Sequence, residues 1–305
     1  MELDRASESV TYSFSGHESF TLRFGWLPKA ARAAIECEDL FARDDALVVL
    51  GVGKNMVRSI RHWALSTGVL ERTQRGKPDA LSEFGRRLLS SDGWDPYLED
   101  PASLWLLHWK LTRSPAPAST WHLVFGRFRP GLSGVFSRQQ LVDWLARLAE
   151  ENEGSRATRN SIRRDVDVFL RTYVPTSSKR GEQAEESFDS PLTLLGLINE
   201  VDRDTYEFVV HDKPSLPEAV VAHALVEYWA SRAPGQTTLP FEWVAYGPGA
   251  PGPAFRLPEP QLVARLTSGL ARWGITFDET AGMRQLIRRD PLPNPLAMLE
   301  GHYRA

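Results

Sequence analysis

The side chains best suited to phosphodiester cleavage form two adjacent pairs in this sequence. His17 and Glu18 lie in the segment SGHESF, and Asp278 and Glu279 lie in FDETAG. Carboxylate and imidazole groups can hold a divalent metal beside a phosphate or act as a general base. The structural alternatives are a hydrogen-bonding pair for His17 and Glu18, and a helix N-cap for Asp278.

No complete nuclease motif accompanies these pairs. The seven histidines are scattered along the chain, without a His-x-His or His-x-x-x-His spacing. Cys37 is the single cysteine, so no intrachain disulfide can form and a cysteine-based metal site would need other ligands. The metal ligands therefore stay unassigned. If the chain cuts DNA, we expect a divalent metal, with Mg²⁺ as the first candidate.

Basic residues cluster around a predicted helix at 54–66 and the segment that follows it. Val57, Ile60 and Ala64 share one face of the helical wheel, and residues 54–77 contain six Lys/Arg but one acid, Glu71. This pattern is typical of a recognition helix with a basic wing, although an ordinary solvated face is the alternative. We predict that double-stranded DNA contacts Lys54, Asn55, Arg58, Arg61, His62, Arg72, Arg75 and Lys77.

A second basic cluster stands at the start of a predicted helix at 159–173. Cations oppose the positive end of a helix dipole, so a bound phosphate would relieve them. Ion pairs with Asp165, Asp167 or the acidic segment 182–186 are the alternative. The second set of predicted DNA contacts is Arg159, Asn160, Arg163 and Arg164.

The predicted elements around these clusters suggest a mainly α protein with small β wings. Helix, helix, glycine turn, helix, strand, turn and strand follow one another from Pro28 to about Leu89, which is the order of a winged helix-turn-helix. Ser137 opens a capping-box sequence, SRQQ. The predicted domains are an N-terminal winged helix (1–115), a unit permitting a second winged helix (136–213), and a helical C-terminal domain (214–305) with helices near 259–272 and 279–289.

Composition limits the classes of protein to which this chain can belong. The chain has 305 residues, 42% hydrophobic and 25% charged, with a formal net charge of -3, so any DNA site must come from local clustering. The first twenty residues do not have the pattern of a signal peptide, and no apolar run is long enough to span a membrane. We therefore expect a cytoplasmic protein. Core packing is the default for tryptophans such as Trp105 and Trp109, and base stacking is the alternative.

Four segments of the sequence resemble the SspB family. They are SGHESFTLRFGWLPKA, LGVGKNMVRSIRHWALSTGVLE, LSEFGRRLLSSDGWDPYLEDPASLWLLHWKL and FDETAGMRQLIRRDPLPNPLAMLEGHY. The resemblance covers nearly the whole chain, and the first segment is its most specific part. It implies a metal-dependent DNA-nicking endonuclease of the single-strand DNA phosphorothioation (Ssp) system used in phage defence. The partners it implies are a cysteine desulfurase, an ATP pyrophosphatase and an ATPase.

The resemblance supplies no catalytic residues. Two rival functions therefore stay open beside the nickase: a non-catalytic DNA-binding adaptor of the modification complex, and a winged-helix transcriptional regulator. His17, Glu18, Asp278 and Glu279 are the candidate catalytic residues.

Overall fold

The computed structural model describes residues 11–37, 39–74, 77–131, 134–152, 154–175, 190–280, 282–289 and 291–304. The first unit is helical and carries a short antiparallel hairpin. Its elements are α1 (Trp26–Glu36), α2 (Ala46–Leu50), α3 (Lys54–Ser66), β1 (Leu70–Glu71), β2 (Ala80–Leu81) and α4 (Glu83–Leu89). This order agrees with the one predicted from the sequence.

The turn between α2 and α3 depends on Gly51. This residue follows α2 with a left-handed backbone, φ 61° and ψ 38°, a conformation that glycine adopts without the steric cost of a Cβ atom. The chain then turns into α3, which buries Ile60, Trp63 and Ala64. Two of these three residues belong to the apolar face predicted from the helical wheel, so the core-facing side of α3 is confirmed.

Two strongly apolar helices, α5 (Pro101–Thr112) and α6 (Ser119–Gly126), lie between the first unit and the rest of the chain. A helix that is apolar on all sides is usually buried, and ten of the twelve residues of α5 are buried. Trp105 and Trp109 are at most 1% exposed. Core packing is therefore confirmed for both tryptophans, and base stacking on them is excluded.

The middle unit combines two long helices with a three-stranded antiparallel sheet in the order β3–β5–β4. Its elements are β3 (Val135–Ser137), α7 (Arg138–Glu151), α8 (Arg159–Tyr173), β4 (Ile198–Asp202) and β5 (Thr205–Phe208). Ser137 and Gln140 form the capping box predicted for the start of α7, which satisfies two otherwise unpaired backbone N–H groups.

The last unit repeats this sheet arrangement with different helices, its strands lying in the order β6–β8–β7. Its elements are α9 (Glu218–Arg232), β6 (Thr238–Pro240), α10 (Phe241–Tyr246), α11 (Pro251–Phe255), α12 (Glu259–Gly269), β7 (Ile275–Thr280), β8 (Met283–Arg288) and α13 (Ala297–Tyr303). The protein is therefore mainly α with small antiparallel sheets, as predicted.

The helix predicted near 279–289 is wrong. Residues 275–288 form the β7–β8 hairpin, in which Phe277 pairs with Leu286 across the strands. Gly282 in the turn is left-handed, with φ 78°. Apolar and polar residues alternate only at the start of β7, at Ile275 and Phe277, which is the period of a strand. In β8, Met283, Leu286 and Ile287 have a helical spacing, so the local pattern did not reveal the hairpin. Residues 214–305, predicted to form a helical domain, therefore also contain a three-stranded sheet.

Within the described ranges, no helix is long and apolar enough to cross a bilayer.

His108 connects three helices at the centre of the molecule. Its Nδ1 lies 2.8 Å from the Tyr173 hydroxyl of α8, and its Nε2 lies 2.7 Å from the Ala254 carbonyl oxygen of α11. Burial lowers the pKa of the His108 imidazole to about 3. The ring is therefore neutral in the folded protein across the ordinary pH range.

We predict that this buried ring makes the protein less stable in mild acid. The unfolded chain takes up a proton on His108 below its ordinary pKa of about 6.5 and the folded chain does not, so stability is fully present above that pH and falls toward pH 3. The loss from this residue between pH 7 and pH 5 is about 2 kcal/mol. Urea unfolding at pH 7 and pH 5 should show a smaller loss of unfolding free energy in His108→Gln than in the wild type. An equal loss in the two proteins would contradict the assignment of a buried, neutral His108.

Candidate nucleic-acid interface

The outer face of α3 carries a row of exposed polar side chains. Lys54, Asn55, Arg58 and Arg61 are all exposed, because the helical repeat that buries Ile60 and its neighbours turns these positions toward solvent. The sequence prediction placed the same four residues together. Their side chains can reach a polyanion without disturbing the core.

Two of these cations already have carboxylate neighbours. Arg61 donates from Nε to Asp79 at 2.6 Å, and Arg58 NH1 lies 3.7 Å from Glu18 Oε1. Such exposed pairs contribute little to stability, but they reduce the net positive charge that a phosphate would meet. No ion pair is present for Lys54 in the described part of the chain, so it offers the least compensated charge on this face.

His62 does not belong to the exposed face, and its burial argues against the predicted contact with DNA. The residue is 9% exposed, and its ring lies edge-on against His17 and Trp63. Burial lowers the pKa of His62 to about 4, with the charges of His17 and Arg72 adding to the effect. The helical wheel missed this burial because position 62 lies at the boundary between the two faces.

The hairpin after α3 also presents cations. Arg72 and Lys77 are exposed on the β1–β2 connection, where the Thr73 hydroxyl donates to the Pro78 carbonyl oxygen at 2.7 Å. Arg75, which was predicted to contact DNA, lies outside the described residues. The described cations extend the positive surface of α3 along the connection.

An unusual backbone conformation distinguishes the segment 15–19, which packs against α3. Four of its five residues have left-handed φ angles: Ser15 (72°), Gly16 (97°), Glu18 (49°) and Ser19 (67°). Non-glycine residues in this region are uncommon and strained, and such strain clusters at functional sites. Position 16 also requires glycine for lack of space, because a Cβ atom there would lie 2.6 Å from His62 Nδ1.

His17 anchors this segment through a buried carboxylate of α8. Its Nε2 lies 2.7 Å from Asp165 Oδ1, and its Nδ1 accepts the backbone N–H of Ser19 at 3.0 Å. Because Nδ1 accepts, Nε2 carries the proton and donates to Asp165. Both ring nitrogens are occupied, so this arrangement favours the structural alternative for His17 over metal ligation.

Asp165 collects three hydrogen bonds while it is 1% exposed. Besides the His17 ring it accepts the Ser15 backbone N–H at 2.6 Å and the Thr120 hydroxyl of α6. A buried carboxylate is tolerated when its lone pairs are satisfied in this way. Sequence reasoning treated Asp165 only as a partner for neighbouring arginines, because nothing in the sequence links it to His17, 148 residues away.

Glu18, in contrast, faces outward beside α3. Its side chain is 34% exposed and lies close to Arg58. On the other side of the segment, Arg171 of α8 donates to the Ser19 carbonyl oxygen at 3.0 Å. The strained segment therefore holds one accessible carboxylate between a basic helix and α8.

The start of α8 forms the second basic cluster, as predicted. Asn160, Arg163 and Arg164 are exposed, while Arg159 is paired with Asp143. Asp167 accepts from Arg138 at 2.5 Å, so the expected bridges from the arginines of α8 to Asp165 and Asp167 are absent from the described contacts. Arg163 and Arg164 have no carboxylate partner among the described contacts, and the acidic segment 182–186, the other predicted partner, lies outside the described residues.

The other candidate catalytic pair lies elsewhere in the fold. Asp278 and Glu279 belong to β7 and not to a helix N-terminus, and the Asp278 carboxylate accepts from the Thr280 hydroxyl at 2.7 Å. The N-cap interpretation of Asp278 is thus wrong. Across the described residues, no group of three or more His, Cys, Asp or Glu side chains could hold a metal ion.

We predict that removing the Asp165 carboxylate destabilises the protein strongly. Asp165→Ala leaves the buried His17 ring and the Ser15 N–H without an acceptor, so the free energy of unfolding should fall by about 3 kcal/mol or more. Asp143→Ala is the matched control, since its pair with Arg159 is exposed and should contribute at most about 1 kcal/mol. Equal losses in denaturant titrations of the two variants would contradict the role assigned to Asp165.

Comparisons with known proteins agree with this arrangement along nearly the whole chain. The family described as "Protein of unknown function (DUF4007)" matches residues 14–303, and no curated protein matches significantly. Two solved structures are similar at 32% identity. A magnesium ion-bound SspB crystal structure matches 96% of this chain and 88% of its own with a TM-score of 0.85, and an SspB crystal structure matches 98% and 91% with a TM-score of 0.87. The chain therefore belongs to the DUF4007 family and is an SspB-like protein.

Proposed function

We propose that this protein is a DNA-binding nicking endonuclease that acts in single-strand DNA phosphorothioation and phage defence. The observation that carries the proposal is the strained segment 15–19, which holds the Glu18 carboxylate beside the basic face of α3. Similarity to SspB over nearly the full length supports the assignment to the Ssp system. A nick would open the backbone for the sulfur-transfer enzymes of that system, which we propose as partners.

DNA binding is supported by element order as well as by charge. A helix, a turn, a second helix with an exposed basic face and a hairpin are the parts of a winged helix, and α2, α3, β1 and β2 follow that order. In this interpretation α3 enters the major groove, and Arg72 and Lys77 of the wing contact phosphates. Asn55, beside Lys54, is then placed to read a base edge.

A magnesium ion would have to be shared between the protein and the DNA. One similar solved structure is described as magnesium ion-bound, and Mg²⁺ is commonly held by one or two carboxylates together with substrate phosphates and water. Glu18 fits such a shared site, because it is accessible and lies among cations that attract phosphate. Bound there, Mg²⁺ would supply charge stabilisation at the phosphate under attack.

The adaptor function is the second candidate. The described residues lack a group of three metal-ligating side chains, and an adaptor would need the basic surface without a metal. Incubation of supercoiled plasmid with the purified protein separates the two. Open circles that form with Mg²⁺ or Mn²⁺ and not with EDTA support the nickase, whereas DNA binding without cutting supports the adaptor or a transcriptional regulator.

We predict that Glu18→Gln abolishes nicking, with a loss of about 100-fold or more, because the neutral amide can neither bind Mg²⁺ strongly nor accept a proton. Melting temperature and DNA affinity should change little, since Glu18 is partly exposed and its pair with Arg58 is loose. Glu36→Gln, an exposed carboxylate of α1, is the control and should cut normally. Retained nicking in Glu18→Gln would remove Glu18 from the catalytic site.

We also predict that the Lys54/Arg58/Arg61 triple alanine variant stays folded and loses most of its DNA affinity. Each cation that meets a phosphate contributes about 0.9 to the slope of log affinity against log salt concentration. The slope should fall by about 2 to 3, with Arg61 contributing least because Asp79 already neutralises part of its charge. Fluorescence anisotropy with a labelled duplex measures both quantities.

Arg32→Ala, an exposed arginine on α1, is the control for this experiment and should bind DNA like the wild type. An intact slope in the triple variant would move the recognition element to Arg163 and Arg164 of α8. Asn55→Ala should weaken the preferred sequence more than random DNA, because Asn is proposed to read a base and not the backbone.

A further inference from the structure

A pocket of about 630 Å³ lies behind the β1–β2 hairpin, between the first and the last units. Its lining comes from the end of α3, the hairpin, the start of α4, the end of α5, α9 and residues 294–296. This volume is in the range of sites that bind small molecules. The pocket is separate from the outer face of α3, because none of Lys54, Asn55, Arg58 or Arg61 lines it.

One carboxylate in this pocket faces two basic side chains, Lys110 and Arg113. Lys110 Nζ donates to Glu227 Oε1 at 2.5 Å, Trp109 Nε1 donates to Glu227 Oε2 at 2.8 Å, and Arg113 NH1 lies 3.5 Å from Oε2. Burial alone raises the pKa of the Glu227 carboxyl, but the proximity of His223, Lys110 and Arg113 holds it well below its ordinary value. Glu227 is therefore ionised and still leaves one positive charge uncompensated.

His223 adds a polar group that the protein itself does not fully satisfy. The residue is completely buried, and its Nδ1 donates to the Pro295 carbonyl oxygen at 2.9 Å. Its Nε2 lies 3.5 Å from Glu227 Oε2 and makes no hydrogen bond in the described part of the chain. His223 itself does not line the pocket, so the charged donors that a ligand could reach there come from Arg72 and Arg113.

The cations at the accessible side of the pocket point to an anionic ligand. Arg113 is 42% exposed and Arg72 is exposed on the hairpin, with no ion pair for Arg72 among the described contacts. Besides Glu227, two carboxylates line the pocket, Glu71 and Glu83. Glu83 is already paired with Arg87 at 2.8 Å, so Glu71 is the one left to offset the charge of Arg72 and Arg113. Guanidinium groups in such a position bind phosphate oxygens with charge-assisted hydrogen bonds.

Apolar side chains share the rest of the lining with Ser13, Ser82 and Asn294. Leu65, Leu70, Phe84, Pro117 and Leu296 contribute to its lining, so a ligand needs both an anionic group and a flat or apolar body. A nucleotide has this combination. We propose that the pocket binds a single nucleotide, with its phosphate at Arg72 and Arg113 and its base against the apolar residues. The nucleotide is either extruded from bound DNA, in which case the inference rests on the proposed function, or free in solution.

Titration calorimetry with 2′-deoxyadenosine 5′-monophosphate tests the pocket without DNA. Binding to the wild type should weaken by about tenfold or more in Arg113→Ala, because a charge-assisted hydrogen bond to the phosphate is lost. Arg113→Lys should recover part of the affinity, and deoxyadenosine without phosphate should bind far more weakly. Arg147→Ala, an exposed arginine of α7 outside the pocket, should bind like the wild type. Equal affinity in Arg113→Ala and Arg147→Ala would overturn the proposal.

A duplex carrying 2-aminopurine tests the extruded source. The fluorescence of 2-aminopurine rises when this base leaves the stack, as an extruded base does. Fluorescence should therefore rise when the wild type saturates the duplex and stay low with Arg113→Ala, with saturation checked by anisotropy. A wild type that binds the duplex but neither raises this fluorescence nor binds the mononucleotide overturns the pocket proposal and leaves DNA binding standing. A wild type that binds the mononucleotide but no duplex supports the pocket for free nucleotides and overturns the proposed function.

Discussion

The buried carboxylate of Asp165 is the constraint on which the arrangement of this protein depends. A buried carboxyl group must have its lone pairs satisfied, and here the partners come from the N-terminal segment, from α6 and from the His17 ring. These bonds hold residues 15–19, with their left-handed backbone, against α8. Since the same segment touches α3 through His62 and Arg58, one carboxylate sets the relation between the two basic helices.

The distribution of charge shows why whole-chain composition is a poor guide to this protein. A net charge of -3 hides two local clusters of cations, and pairing then divides each cluster into neutralised and available members. Among the described contacts, Lys54 of α3 has no carboxylate partner whereas Arg61 has Asp79. On α8, Arg163 and Arg164 likewise have none among these contacts whereas Arg159 has Asp143. The available cations, more than the total number, determine what a polyanion meets.

Local patterns in the sequence predicted much of the fold. The helical period of 54–66, the glycine after α2 and the capping box at Ser137 depend on neighbouring residues, and all three are present. The β7–β8 hairpin was missed because six-residue strands leave too few repeats to tell period two from period 3.6. The burial of His62 and the His17–Asp165 bond were also missed, since both arise from packing between segments far apart in the chain, which no local rule describes.

The long separation between His17 and Asp165 has a consequence for how the protein is made. During synthesis the N-terminal segment leaves the ribosome first, and its acceptor follows only 148 residues later. A strained backbone does not persist without the contacts that compensate it, so segment 15–19 stays unformed on a nascent chain that already contains all of α3. A truncated or newly emerging chain would therefore expose a basic helix before Glu18 reaches its place, and the proposed cutting site would assemble only after more than half of the 305 residues have been synthesised.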